Sequence, residues 1–131
     1  MIKKTLREKK TYLLIKANKK IERKKFYYLL SDKIKEYFGK LIYSEMNFKT
    51  LKIWERRYKG KKKTYEKTKI HMEKNNLYVI SAKRDFERML KFILPSITLN
   101  QRSNLNLKTI KVSHTIQSLR EFIKKEIEKK Q

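Results

Sequence analysis

The chain of 131 residues carries 37 Lys and Arg against 13 Asp and Glu, for a formal net charge of +24 and a pI near 10.2. Such a chain repels itself and calls for an anionic partner: nucleic acid, an anionic membrane surface or an acidic protein. With 39% hydrophobic and 11% aromatic residues it is too apolar for a disordered polycation, and without cysteine it forms neither a disulfide nor a thiolate metal site.

The length fits one domain with its own core. Two histidines, His71 and His114, cannot build a structural zinc site alone. The opening MIKKTLREKK is charged, and no apolar stretch approaches the ~18 residues of a membrane span. The expectation is a soluble, intracellular, basic nucleic-acid-binding domain.

In chain order, residues 1–10 read as a basic N-terminal arm, either a free tail or a segment that orders on RNA. Residues 11–17 (TYLLIKA) predict a first strand buried on both faces. Residues 22–38 predict a helix, because Phe26, Leu29, Leu30, Ile34 and Phe38 share one face, and Gly39 suits its C-terminal cap. Tyr27, Tyr28 and Tyr37 flank that stripe and are expected to complete the core edge. Residues 47–54, with Phe48, Leu51 and Ile53, predict a second strand. The basic insertion at 56–75 reads as an extended hairpin arm or loop, and residues 77–82 (LYVISA) as a third strand.

Residues 84–94 predict a second helix, with Phe86, Met89, Leu90, Ile93 and Leu94 in one stripe and Pro95 ending it. The polar NQRSN that follows reads as a loop. Residues 107–112 alternate as a fourth strand. Ser113 or Thr115 can cap a last helix whose stripe is Ile116, Leu119, Ile123 and Ile127. The order β-α-β-β-α-β-α predicts an α+β sandwich. It is an RRM-like or ferredoxin-like antiparallel four-stranded sheet packed with helices, plus a C-terminal helix, in one domain over residues 11–131.

The RNP1 pattern of an RRM needs glycine and aromatics on a central strand, whereas the third strand offers only Tyr78, so stacking of bases on the sheet is not expected. The insertion interleaves lysines with Tyr58 and Tyr65, which suits phosphates and unpaired bases, although solvated lysines would look the same. His114 opens the last helix without an acidic or histidine neighbour in sequence, so it reads as a turn residue rather than a catalyst. The helix start itself can meet phosphate through its free amides. The acids sit among lysines as solvated ion pairs, and no P-loop, HExxH or GxSxG motif is present.

Four segments, in order, carry a resemblance: REKKTYLL at 7–14, KRDF at 83–86, ILPSIT at 93–98 and TIKVSHTI at 109–116. They resemble, respectively, the R-x-K-x-R-Y-L-L, C-R-x-x-F, A-L-P-x-I-T and V-S-G-T-I segments of the POP-five protein subunit of archaeal and eukaryotic ribonuclease P, with the L-P-x-I-T form closer to the eukaryotic one. The V-S-x-T-I segment fits this type better than its RPP-fourteen sister. The chain departs from the pattern at Thr11, where a basic residue is usual, at His114, which stands for glycine, and at Gln117, where a basic residue is common. The 56–75 stretch is an insertion relative to the family.

The resemblance implies an α/β sandwich that pairs with the TIM-barrel protein subunit of the same particle, alongside its other proteins, and sits against the catalytic domain of ribonuclease P RNA. That RNA performs the hydrolysis with Mg²⁺ and removes the 5′ leader of precursor tRNA, so the protein is expected to be non-catalytic and to hold no cofactor or metal itself. In eukaryotes the subunit also joins RNase MRP, which processes precursor rRNA. The location implied is the nucleus and nucleolus in a eukaryote and the cytoplasm in an archaeon, with no membrane partner. Charge and resemblance together single out Arg7, Lys9, Lys10, Lys83, Arg84, Lys111, Ser113, His114 and Thr115 for RNA contact. Charge alone adds Arg56, Arg57, Lys61, Lys62 and Lys63. The rivals are a basic ribosomal or ribosome-associated protein, a small nuclease, and a membrane-surface binder.

Overall fold

Strand β1 (Lys10–Ala17) holds Leu13, Leu14 and Ile15 in succession, all at most 1% exposed. Successive strand residues point to opposite faces, so such a run is stable only where both faces of the sheet are covered. The computed structural model, which describes residues 9–53, 62–99 and 106–129, shows that cover. On one face lie α1 (Arg23–Met46) and α3 (Glu87–Leu99), with Phe26, Leu30, Ile34, Leu90, Ile93 and Leu94 packed against Leu13, Ile15 and Ile80. On the other lie α2 (Lys62–Lys74) and α4 (Ile116–Lys129), with Met72, Leu119 and Ile123 over Leu14, Val79 and Ile53.

Strands β2 (Lys49–Leu51), β3 (Leu77–Lys83) and β4 (Leu107–Ser113) complete an antiparallel sheet of order β2-β3-β1-β4. This is the split β-α-β arrangement that the element order predicts, with α4 as the expected C-terminal helix. A 3-10 turn at Arg84–Phe86 leads β3 into α3. A bulge in the β1–β4 pairing, between Leu14 and Ile15, leaves Ile110 as the extra residue of the edge strand.

Local signals were overruled at several places. Gly39 does not end α1: it kinks the helix at φ +89°, ψ 164°, and helical backbone resumes to Met46, where Asn47 in the left-handed region closes it. The second arm persists because Met46 is fully buried and Ile42 and Tyr43 pack on the core. Pro95 lies inside α3 rather than after it. Its missing N–H forfeits one bond to the Lys91 carbonyl, but Pro95 is exposed, so water can take that carbonyl while Leu90, Ile93 and Leu94 hold the helix on the sheet.

The insertion is a helix, not a hairpin arm or loop, over Lys62–Lys74. Lysine and glutamate are good helix formers, but among the described side chains of α2 Met72 is the buried one, so the apolar period is faint. Residues 1–8, 54–61 and the polar loop at 100–105 lie outside the described residues. The second strand is shorter than expected. Tyr27 packs at the core edge as expected, whereas Tyr28 and Tyr37 are exposed, at 59% and 43%.

Candidate nucleic-acid interface

Antiparallel pairing gathers the start of β1, the end of β3 and the end of β4 at one end of the sheet. Lys10 stands directly opposite Lys83, and Tyr12 opposite both Ser81 and Ser113. The Arg84 N–H donates to the Lys9 carbonyl at 2.8 Å, which fixes the approach to β1 against the exit of β3. Four cations far apart in sequence, Lys9, Lys10, Lys83 and Arg84, thus share one edge. Like charges directly across a strand pair destabilise it. Arg84 Nε is buried without a hydrogen-bond partner among the described residues.

The turn into α4 borders the same end. Ser113 Oγ donates to the Thr115 carbonyl at 2.9 Å and accepts the Thr115 N–H at 3.3 Å, and Thr115 Oγ1 accepts the Ser118 N–H at 3.1 Å. Thr115, rather than Ser113, is therefore the cap of α4. Ser113 is 7% exposed, and its hydroxyl is committed to the turn. Lys111 lies opposite Leu14, further from the edge, with its ammonium 5.6 Å from the ring centre of Phe122 on α4.

His114 has a partner that the sequence hides. Its Nε2 donates to Glu87 Oε1 at 3.2 Å, and the same carboxylate accepts the hydroxyl of Thr11, which is fully buried. Lys91 Nζ lies 3.6 Å from Glu87 Oε2. The Thr11 hydrogen bond is the main force holding the Glu87 carboxyl below its usual range; His114 and Lys91 add to it, and partial burial opposes them. Thr11 stands where the resemblance leads one to expect a basic residue. Here it lies beneath the start of α3 and ties β1 to α3 and, through Glu87, to the β4–α4 turn. No local pattern signals this, because Thr11 and Glu87 are 76 positions apart.

The other expected contacts are spread out. Lys62 and Lys63 open α2. Arg7, Arg56, Arg57 and Lys61 lie outside the described residues. The sheet offers no stacking face: α2 and α4 cover one side, and on the other Tyr78 stacks on Phe26 at 4.4 Å and bonds through its hydroxyl to the Ile21 backbone. Among the described residues no three or more His, Asp or Glu side chains gather as metal ligands, and no helix is long and apolar enough to cross a membrane.

The class defined by this architecture is a basic, helix-covered antiparallel sandwich, with Lys9, Lys10, Lys83 and Arg84 brought together at one sheet end. The model of the Rpp14/Pop5 family of ribonuclease P proteins matches residues 5–124, and the chain belongs to that family. A chain in the cryo-EM structure of yeast ribonuclease MRP shares the fold at a TM-score of 0.53 and 10% identity, over 95% of this chain and 92% of that one. No curated protein matches the sequence. The resemblance of the four motifs is thus met at the level of the family, whose name joins both sister types.

Proposed function

We propose that the chain is a non-catalytic, RNA-binding subunit of ribonuclease P, and in a eukaryote of RNase MRP as well. The observation that carries this reading is the Lys9, Lys10, Lys83 and Arg84 edge beside the α4 start, in a family member of net charge +24. Phosphates placed there meet the gathered charges of Lys9, Lys10, Lys83 and Arg84, and the release of counterions supplies affinity. By screening phosphate repulsion the protein lets the RNA fold compactly and hold its Mg²⁺ at lower concentration. Hydrolysis of precursor tRNA belongs to the RNA. His114 is bound to Glu87 and serves the turn rather than a reaction. Leu41 and Phe92, exposed at 73% and 67% on the α1 and α3 layer, favour this layer as the seat of a protein partner such as the TIM-barrel subunit. The working place is the nucleus and nucleolus in a eukaryote and the cytoplasm in an archaeon.

The test is to isolate the tagged protein from its native cells at moderate salt and sequence the RNA that accompanies it. Ribonuclease P RNA, with precursor-tRNA cleavage in the eluate, supports the reading, and RNase MRP RNA extends it. Ribosomal RNA alone, without tRNA processing, overturns it.

A further inference from the structure

At the end of the sheet opposite the Lys10–Lys83 edge, a groove crosses the first turn of α1. Its deeper part is a cavity of about 200 Å³ walled by Phe26, Leu51, Met72, Leu77, Tyr78 and Val79, with Lys20 and Arg23 also lining it. Arg23 and Thr50 belong as well to a second depression of about 170 Å³, which continues over Lys24, Tyr27 and Tyr28. The two therefore form one path from the cavity to the face of Tyr28.

Both aromatic walls are fixed. The Tyr78 hydroxyl donates to the Ile21 carbonyl at 2.6 Å and accepts the Ile21 N–H at 2.9 Å. Tyr28 is 59% exposed, yet its ring stands edge-on to Tyr27 at 5.5 Å. Tyr27 in turn stacks on Phe48 at 5.7 Å and hydrogen-bonds Tyr43 at 2.7 Å. An exposed aromatic mounted on such a layer is a platform with little conformational freedom left to lose. Arg23 and Lys24 line the depression beside it, and Lys20 and Arg23 line the cavity together with Glu22, the single acid of residues 19–25.

The size is selective. A cavity of about 150 Å³ takes benzene, whereas drug-sized ligands need about 300 Å³ or more, so this one suits a single planar ring system. Cations at the mouth suit the phosphate attached to such a ring. Glu73 and Asn76, which also line the cavity, offer an acceptor and donors to the edge of a base.

We propose that this groove binds unpaired nucleotides of single-stranded RNA. One base enters the cavity, its phosphate lies against Lys20 and Arg23, and the next base stacks on Tyr28. The proposal rests on the RNA-binding reading above but uses a different surface, separated from the Lys10–Lys83 edge by the length of β1, roughly 25 Å. A duplex cannot insert a base into the cavity without opening, and away from its ends it has no free base face to stack on Tyr28, so the groove distinguishes single strands from helices.

The experiment uses the full chain, fluorescein-labelled hexauridylate and a blunt RNA duplex, with affinities read by anisotropy at fixed moderate salt. Tyr28→Ala removes one base–aromatic stack and should weaken hexauridylate binding roughly 5- to 150-fold while changing duplex binding by less than about two-fold. Arg23→Gln should lower the log–log salt slope for hexauridylate by roughly 0.7. Circular dichroism confirms that each variant is folded. Equal effects of Tyr28→Ala on both RNAs, or none on either, overturn the groove while duplex binding keeps the first reading alive. Failure of the unmodified protein to bind either RNA overturns both.

Discussion

Replacing Lys10 by Gln separates stability from binding. Lys10 and Lys83 are directly opposed on β1 and β3. Like charges at opposed positions cost on the order of 0.2–1 kcal/mol. Lys10→Gln should therefore raise the stability of the free protein by about 0.5 kcal/mol, or roughly 2 °C in Tm. The gain should shrink when salt screens the pair. Adding Lys83→Gln should give no further gain, because the repulsion has already gone and Lys83 has an interaction of its own to lose. Binding to structured RNA should move the other way, with the log–log salt slope falling by about one for the lost phosphate contact. Urea unfolding at about 20 and 500 mM salt reads the first effect, and an affinity titration over the same salts reads the second. A loss of stability at low salt, or an unchanged slope, would refute the picture of an edge strained for an anion.

Glu87→Ala strands the buried Thr11 hydroxyl and should cost about 1–3 kcal/mol in urea melts. Because the Glu87 carboxyl is held below its usual range, its contribution is complete above about pH 4.3 and is lost as pH falls toward the depressed value. Glu87→Gln should accordingly flatten the acid limb of stability against pH, and an unchanged limb would count against the Thr11–Glu87 bond. Gly39→Ala meets no atom within 4 Å, yet an L residue at φ +89°, ψ 164° is strained by about 1–3 kcal/mol, so thermal unfolding should show that loss without any clash. Pro95→Ala restores an N–H inside α3 and should stabilise by up to about 3 kcal/mol in the same assay; destabilisation would mean that the proline shapes the helix usefully.

The apolar stripes of α1, α3 and α4 were legible because each holds several large side chains at helical spacing, and burial of Phe26, Leu30, Ile34, Leu90, Ile93, Leu119 and Ile123 follows from that pattern. The TYLLIKA run announced a strand covered on both faces, but not which helices would cover it. For α2 the signal was weak, since one buried methionine among the described side chains, in a lysine-rich stretch, leaves no period to read. Gly39 and Pro95 are genuine local stop signals; Gly39 was outvoted by Ile42, Tyr43 and Met46 beyond it, and Pro95 is tolerated at an exposed position while Leu90, Ile93 and Leu94 before it hold the helix on the sheet.

The candidate site divides the same way. That the chain calls for an anionic partner follows from its 37 cations against 13 acids, whatever the fold. Which cations act together is a property of strand register: Lys10 meets Lys83, and Arg84 meets Lys9, only through antiparallel pairing of segments far apart in sequence. The Thr11–Glu87–His114 link and the groove beside Tyr28 are likewise contacts between distant segments, and no periodicity within a short window encodes them. Local sequence determines which stretches are apolar enough to form elements and how much charge the surface must carry. Tertiary structure alone decides which charges become neighbours, because that depends on the pairing free energy of the whole sheet.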